Sequence, residues 1–231
     1  MSGIDPFQAI KLSVLVGLWC AALGLPFAVL LGWILARFEF PGKTLLNMIV
    51  FAPLVVPPVV TGYLLLEVFG RAAPLGKLFA DLGLPFSFSL AGAVLASFVV
   101  GMPFYVMVIR AAFEAVDPRL EEIAWTLGAP PRKTFFRVTL PLALPGIAAG
   151  AVLAFARALG EFGATVILAG NMEGKTRTIA LAVYTLLETP NGLEASHILI
   201  GASLVISFGA LFAYEMLLRW HRRRLEWRHE R

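Results

Sequence analysis

The sequence predicts an all-α integral membrane protein, built as a five-helix transmembrane bundle. Three observations predict this: 59% of the 231 residues are hydrophobic, only 15% are charged, and the apolar residues fall in long, separate runs. A soluble domain is typically about 45–50% apolar and about 25% charged, so the chain is far too apolar for that class. We interpret residues 1–231 as a single transmembrane domain.

Five runs are long enough to cross a bilayer as helices, because a crossing helix needs about 20 apolar residues. A helix also satisfies its backbone polar groups internally, as the bilayer core demands. The predicted spans are about residues 12–36, 47–66, 88–109, 142–168 and 198–218. The first four contain proline, which interrupts the helical hydrogen-bond ladder and kinks a helix.

The second run contains the stretch APLVVPPVVTG, where Pro57 and Pro58 precede Thr61. Two adjacent prolines predict a broken or bent helix at this point. Two interpretations stay open: ordinary irregular packing, and a moving part of a gate. On the second interpretation, Pro57, Pro58 and Thr61 are candidates for the transport pathway or its gate.

Lysine and arginine predict the orientation, because cytoplasmic loops of membrane proteins carry an excess of them. With five spans, thirteen of the nineteen basic residues fall on one side and five on the other, with Arg157 inside a span. The richer side includes loop 110–141 and the tail RWHRRRLEWRHER. The pattern predicts an external N-terminus and a cytoplasmic C-terminus. The charge distribution explains the basic tail as the cytoplasmic end of a protein in a lipid bilayer. We therefore expect no nucleic acid as a partner.

The cytoplasmic loop 110–141 is predicted to hold two short helices separated by a turn. Asp117 and Pro118 are typical of a helix start, and Gly128 is typical of a helix end. Pro130 and Pro131 then begin the second helix. The first helix has one apolar face and the second carries two aromatic residues, so the pattern fits either a loop on the membrane surface or a docking site for a soluble partner.

Two motifs in this loop carry a family resemblance. The sequence E-I-A-x3-G at Glu122–Gly128 is followed, after nine residues, by V-x-L-P at Val138–Pro141. This pair resembles the E-A-A-x3-G-x9-I-x-L-P signature of ABC importer permeases, with Ile123 and Val138 as conservative departures. The resemblance implies a type I ABC importer permease in the inner membrane of a prokaryote.

In that family the loop fits a groove on an ATP-hydrolysing subunit. The resemblance implies that this element is shaped by Glu122, Ala124 and Gly128, with Phe135 and Phe136 as docking residues. It also implies three kinds of protein partner: a second copy of the chain in a homodimer, a cytoplasmic ABC ATPase dimer, and an extracytoplasmic oxyanion-binding protein.

The resemblance covers about residues 10–219. The stretches 52–66, 155–171 and 174–190 look like those of molybdate importer permeases, and sulfate and tungstate permeases are similar through FARALGEFG. The resemblance implies uptake of molybdate, with sulfate and tungstate as alternatives. A secondary transporter without an ATPase would usually show internal repeats or several intramembrane ionisable groups. A membrane scaffold without transport is a further alternative.

Arg157 and Glu161 lie four residues apart in the fourth run and are expected to share a helix face. A bare charge at the bilayer centre costs about 2.5–3.5 kcal/mol on insertion scales, so such residues usually pair or line a wet path. We favour a self-neutralising pair with a packing or gate-linking role. The alternative is that Arg157 attracts the anion, although Glu161 would repel it.

The outer segment, residues 171–197, is long enough to hold a structured element. Residues 178–189 are expected to form a short amphipathic or re-entrant helix. The segment is expected either to help close the outer gate or to meet a substrate-delivering protein, and Lys175 and Arg177 are candidates for contact with acidic residues on that protein. The alternative is a solvated loop.

The chain contains G-K-T twice, at 42–44 and 174–176, and neither is a phosphate-binding loop. Such a loop needs another glycine five residues earlier, where this chain has Arg37 and Ala169. We expect no catalytic residue, metal or cofactor in this chain, with ATP and magnesium held by the partner ATPase.

Overall fold

The computed structural model describes residues 5–189 and 192–226, and the regular elements within them are all helical. A π-helical segment, Phe135–Thr139 (the π segment), joins two of the helices. In chain order the α-helices are α1 Pro6–Arg37, α2 Lys43–Val55, α3 Pro58–Phe69, α4 Pro74–Asp81, α5 Leu90–Glu114, α6 Pro118–Thr126, α7 Pro131–Thr134, α8 Leu140–Leu159, α9 Gly163–Leu168, α10 Ile179–Leu187 and α11 Gly192–Glu226.

Among the described residues, four helical stretches are long and apolar enough to cross a membrane: Pro6–Arg37, Leu90–Glu114, Pro131–Leu159 and Ser196–Leu217. The pair α2 and α3 makes a fifth if the two together count as one span. The all-α membrane class is confirmed, and the number of spans depends on that pair.

α1 begins at a strong cap and runs without interruption to Arg37. The carboxylate of Asp5 accepts a hydrogen bond from the Phe7 N–H at 2.9 Å, and Pro6 occupies the first helical position. Its 32 residues give a length of about 48 Å, more than the roughly 30 Å hydrocarbon core. Pro26 lies inside the helix without ending it.

The core of the bundle forms where α1, α5 and α8 pack together. Small residues bring these helices close. A Cβ atom on Gly32 would lie 2.8 Å from Cγ2 of Ile109, and one on Gly17 would lie 2.8 Å from Cδ2 of Phe155. Membrane helices associate through such close contacts, since lipid supplies little hydrophobic driving force between them. Larger side chains, including Tyr105 and Phe113, fill the remaining core.

The second predicted span, 47–66, is not one straight helix. Its two halves, α2 and α3, are bent by 116° at residues 56–57. Val56 and Pro57 are extended because a residue before proline is held out of the helical region, and Pro58 lacks a backbone N–H. The predicted break is confirmed, and the crossing of the membrane by residues 47–66 stays a prediction.

The fourth predicted span, 142–168, has different ends in the structure. The helix starts earlier, because α7, the π segment and α8 run on as one rod, Pro131–Leu159. It stops at Leu159, and the short helix α9 follows after a break of three residues. The break persists because the Glu161 carboxylate accepts the Ala164 N–H at 3.0 Å, which starts a new helix instead of extending the old one.

The bundle has two ends that differ in what they present. At the first, the α6 end, Arg37 Nη2 donates to the Val116 carbonyl at 2.8 Å, so the ends of α1 and α5 lie beside α6. At the second, the α10 end, the Ile179 N–H donates to Ser13 Oγ at 2.7 Å, so α10 is fixed to the first part of α1.

α11 is longer than the fifth predicted span, 198–218. It packs against α8 and α10 and continues through Glu226, so the first part of the predicted basic tail is helical. Tail residues 227–231 lie outside the described residues. Several large apolar side chains of α11 are exposed in the single chain, including Val205, Phe208 and Phe212.

Candidate functional site

The predicted helix pair in loop 110–141 is confirmed. The Asp117 carboxylate accepts the Arg119 N–H at 3.0 Å, and Pro118 is the first residue of α6. Pro131 begins α7, as its position after Pro130 predicted. The loop is shorter than predicted, because α5 continues to Glu114 and the helical rod that leads into α8 starts at Pro131.

Gly128 ends α6 in a left-handed backbone conformation. Its φ angle is +80°, and its N–H donates to the Trp125 carbonyl at 2.9 Å. The following N–H, of Ala129, donates to the Ala124 carbonyl at 3.0 Å. A Cβ on Gly128 would find open space within 4 Å, so glycine is favoured here by backbone conformation and not by crowding.

α6 presents apolar side chains to its surroundings. None of its residues is buried, and Leu127, which follows it, is 82% exposed. Phe136, in the π segment, is 65% exposed on the same end of the bundle. Such clustered exposure is typical of a protein interaction surface. We call this set the α6 surface; its exposed apolar members are Leu120, Ile123, Trp125, Leu127 and Phe136.

The two predicted docking aromatics have different environments. Phe135 points into the bundle, with its ring centroid 4.7 Å from that of Trp33 and 6.2 Å from that of Phe113. Phe136 points outward. Docking stays a prediction for both residues: the Phe135 ring packs partly against the core, whereas Phe136 is exposed.

The adjacent acids of α6 also differ. Glu122, the signature residue, is exposed, and Ala124 is half-buried. Glu121, which was not predicted as a site residue, lies inward: its Oε1 accepts a hydrogen bond from Thr139 Oγ1 at 2.7 Å and lies 3.2 Å from Arg37 Nη2. The only sequence signal was the presence of opposite charges on the same predicted side of the membrane.

A groove of about 770 Å³ opens beside this contact. Its walls come from the end of α1, from α6, and from the α7 and π segment region. Five of its thirteen lining residues are aromatic, and the Arg132 guanidinium adds a positive charge. The bordering aromatic residues are Trp33, Phe38, Trp125, Phe135 and Phe136.

The two helix breaks meet where α3 packs against α9. A Cβ on Gly62 of α3 would lie 2.7 Å from Cα of Ala164 in α9, and one on Gly163 would lie 3.0 Å from Cβ of Pro58. Thr61 is buried in this contact, with Oγ1 3.5 Å from the Pro57 carbonyl. The contact thus brings Pro58, a predicted gate candidate, against Gly163, which lies two residues after Glu161.

Arg157 and Glu161 form the predicted ion pair, 2.9 Å between Arg157 Nη1 and Glu161 Oε2. The Glu161 side chain is 3% exposed and also accepts the Ala164 N–H. Arg157 is 26% exposed and lies over the Phe104 ring, 5.8 Å from its centroid. This arrangement supports the self-neutralising interpretation, since both charges have partners within the chain.

Within segment 171–197, residues 171–189 are folded, which argues against a solvated loop there. Within it, α10 buries Ile179, Leu181, Ala182 and Leu186 against its neighbours. Lys175 is exposed, as a contact residue requires.

Arg177 differs from Lys175 because it is held inside the segment. Its Nε donates to Asn171 Oδ1 at 2.9 Å, and its Nη1 lies 3.4 Å from Glu173 Oε2. Asn171 in turn donates to Thr185 Oγ1 at 2.7 Å, which connects the segment to α10. Arg177 therefore stabilises the loop, and of the two predicted contact residues only Lys175 is free for a partner. Within residues 5–189 and 192–226, no cluster of His, Cys, Asp and Glu could hold a metal ion.

Long apolar helices, two broken helices in contact and an exposed helix pair at one end define a polytopic membrane protein. A family described as "Binding-protein-dependent transport system inner membrane component" matches residues 28–223. The match covers most of the chain, and the chain belongs to this family.

Relatives with more specific descriptions span nearly the whole chain. The molybdenum transport system permease protein ModB of Escherichia coli (strain K12) is 47% identical over 222 residues, 95% of this chain and 97% of that protein. ModB of Haemophilus influenzae is 45% identical and covers 94% of this chain and 96% of its own length. A probable sulfate transport system permease, cysT of Chlorokybus atmophyticus, is 35% identical, and the match covers 80% of this chain and 66% of that protein.

Solved structures share the fold. The inward-facing MetNI methionine ABC transporter matches with a TM-score of 0.68 at 16% identity, covering 94% of each chain. The bacterial alginate ABC transporter in complex with an alginate-loaded periplasmic protein matches with a TM-score of 0.67 at 21% identity, covering 94% of this chain and 78% of that one. The importer-permease fold predicted from the sequence is confirmed.

Proposed function

We propose that this chain is the membrane subunit of an ATP-driven importer of molybdate. The observation that carries the proposal is the 47% identity to E. coli ModB over nearly the full length of both chains. A sulfate importer is the second candidate, favoured by the relative described as a sulfate permease. That relative is 35% identical and spans less of both chains, which supports molybdate over sulfate.

ATP is hydrolysed, in this proposal, by a separate cytoplasmic ATPase dimer that binds the α6 surface. The exposed apolar residues of α6 and Phe136 supply the contact, and Gly128 sets the angle between α6 and α7. The basic residues at the α6 end support a cytoplasmic position for it, because cytoplasmic loops are enriched in Lys and Arg. The N-terminus is then outside and the C-terminus inside.

Two copies of the chain enclose the pathway. Support comes from α2 and α3, whose outward apolar side chains have no cover within the described part of one chain. A second copy covers them and leaves the α3–α9 contact beside the path. The exposed apolar residues on these two helices include Leu45, Met48, Ile49, Val55, Val59, Tyr63 and Leu64.

An external binding protein delivers the oxyanion at the α10 end. The folded segment around Lys175 supports a role in receiving it, because its contacts to α10 give it one conformation. The ATPase cycle then moves α6 and, through the long helices, the α3–α9 gate region. Arg157 and Glu161 lie at the break between α8 and α9, where they maintain the gate geometry.

The test is reconstitution in proteoliposomes with the cognate ATPase and the cognate binding protein. ATP hydrolysis and anion uptake are measured with molybdate, tungstate and sulfate, singly and in competition. We expect molybdate to stimulate ATP hydrolysis and to be taken up, and sulfate to compete only weakly with molybdate uptake. Preferential uptake of sulfate would replace the substrate assignment, and uptake without the ATPase would overturn the importer proposal itself.

A further inference from the structure

We infer that Arg37, Glu121 and Thr139 form a polar clasp that fixes α6 to the ends of α1 and of the π segment. Because of the clasp, a displacement of α6 by the ATPase moves α1 and the rod that leads into α8 together. The inference rests on the proposed function, and it adds three positioning residues to the coupling step.

One carboxylate oxygen joins three elements. Glu121 Oε1, on α6, accepts from Thr139 Oγ1 at the end of the π segment, at 2.7 Å. The same oxygen lies 3.2 Å from Nη2 of Arg37, the last residue of α1. That nitrogen also donates to the Val116 carbonyl at 2.8 Å, which adds the segment after α5.

The clasp is shielded from water. The side chains of Arg37 and Glu121 are 14% and 13% exposed. The neighbouring pair Arg110–Glu114 is far more open, at 34% and 47%. Because screening and side-chain entropy weaken exposed pairs, the half-buried clasp is the stronger connection, and the Arg110–Glu114 pair serves as the control.

α6 depends on this connection because burial does not hold it. The helix has no buried residue, and its packing partners are α7 and the π segment. Those contacts attach α6 to the rod that leads into α8. The polar contact to Arg37 is what couples it to α1 as well.

The π segment ends at the clasp. Phe135 starts the segment with its ring against Trp33 of α1, and Thr139 ends it with its hydroxyl on Glu121. Single-turn π-helical segments interrupt the regular hydrogen-bond pattern and are frequent at functional sites. Here α1 holds the segment at one end and α6 holds it at the other. A movement of α6 therefore shifts the end of the π segment where α8 begins.

The experiment uses the whole transporter in proteoliposomes, with molybdate-loaded binding protein outside. The variants are Glu121→Gln and Thr139→Val, alone and combined, with Glu114→Gln as the control. We expect each to retain the ATPase and to hydrolyse ATP at the unstimulated rate. In Glu121→Gln, the stimulation of ATP hydrolysis by the loaded binding protein is expected to fall about tenfold, a typical size for an allosteric coupling factor.

Two further results decide the inference. The combined variant is expected to be no worse than Glu121→Gln alone, because both changes act on one oxygen. In a Cys20→Ala background, the Arg37→Cys/Glu121→Cys variant is expected to lose stimulation and to regain it when a short bis-maleimide joins the two sulfur atoms. This crosslink also decides the case in which Glu121→Gln fails to assemble.

Normal stimulation in Glu121→Gln, or no recovery on crosslinking, would overturn the inference. Loss of the ATPase from an otherwise folded Glu121→Gln variant would assign Glu121 to docking and overturn it too. If the unmodified transporter shows no stimulation by any oxyanion, it is the proposed function that fails, so the two failures are distinguishable.

Discussion

Gly62 and Ala164 bring the backbones of α3 and α9 into direct contact. A Cβ on Gly62 would lie 2.7 Å from Cα and 2.8 Å from the carbonyl oxygen of Ala164. Real Cβ atoms do not approach backbone so closely, so only glycine allows this packing. Each helix follows a break in a longer apolar run, and the contact joins the two broken segments into one unit.

Replacing Gly62 with alanine is expected to force α3 away from α9. Overpacking of this kind costs about 1–3 kcal/mol in the free energy of unfolding, because the backbone of Ala164 must shift. Thermal unfolding in detergent measures the loss. Gly101→Ala is the control, since a Cβ there meets nothing within 4 Å. Equal stability of the two variants would contradict the backbone contact.

Arg157 and Glu161 are expected to behave as a structural pair. Arg157→Gln leaves the buried Glu161 carboxylate without its counter-charge, and we expect a loss of about 1–3 kcal/mol, below the full value for a buried pair because Arg157 is partly exposed. The double variant Arg157→Gln/Glu161→Gln should recover part of that loss in thermal unfolding. If Arg157→Gln instead abolishes uptake while assembly, stability and basal ATP hydrolysis stay normal, the residue acts directly on the anion.

Phe135 and Phe136 are adjacent but should give opposite results. Phe135→Ala removes a ring from the aromatic contact with Trp33 and Phe113. It should lower the free energy of unfolding by about 3 kcal/mol, the lower end of the range for Phe→Ala changes, because Phe135 is half-buried. Phe136→Ala should leave thermal unfolding unchanged and weaken retention of the ATPase during co-purification. The reverse pattern would mean that Phe135, and not Phe136, faces the partner.

Gly128 tests whether the angle of α6 matters. Gly128→Val places a β-branched residue at a φ of +80°, which costs about 1–2 kcal/mol of local strain. We expect weaker ATPase association and less molybdate-stimulated hydrolysis, with the bundle still folded. Gly128→Asn should be affected much less, because asparagine tolerates the left-handed region. Normal coupled uptake in Gly128→Val would argue against a shaped docking element.

The local features of α6 were predictable from sequence because their causes are local. Asp117 and Pro118 start the helix and Gly128 ends it through contacts within a few residues. The break at Pro57 and Pro58 was predictable for the same reason. The bend of 116° was not, since it depends on how α3 packs against distant α9.

The clasp and the inward position of Phe135 had no comparable signal. Arg37 and Glu121 are far apart in sequence, and only the packed bundle places the guanidinium beside the carboxylate. Phe135 and Phe136 are identical residues in neighbouring positions, and only the packed structure shows that the Phe135 ring lies against Trp33 while Phe136 is exposed. Arg177 and Lys175 likewise look equivalent in sequence, but one has partners in its own loop.

The central claim is that the α6 surface faces the cytosol and meets an ATPase there. Its most direct test is maleimide labelling of Leu127→Cys, an 82% exposed position, in a Cys20→Ala background that removes the single native cysteine. A membrane-impermeant maleimide should label inside-out vesicles stripped of the ATPase, and adding the ATPase should protect the cysteine. Labelling only in right-side-out vesicles would place the α6 surface outside the cell and contradict the claim.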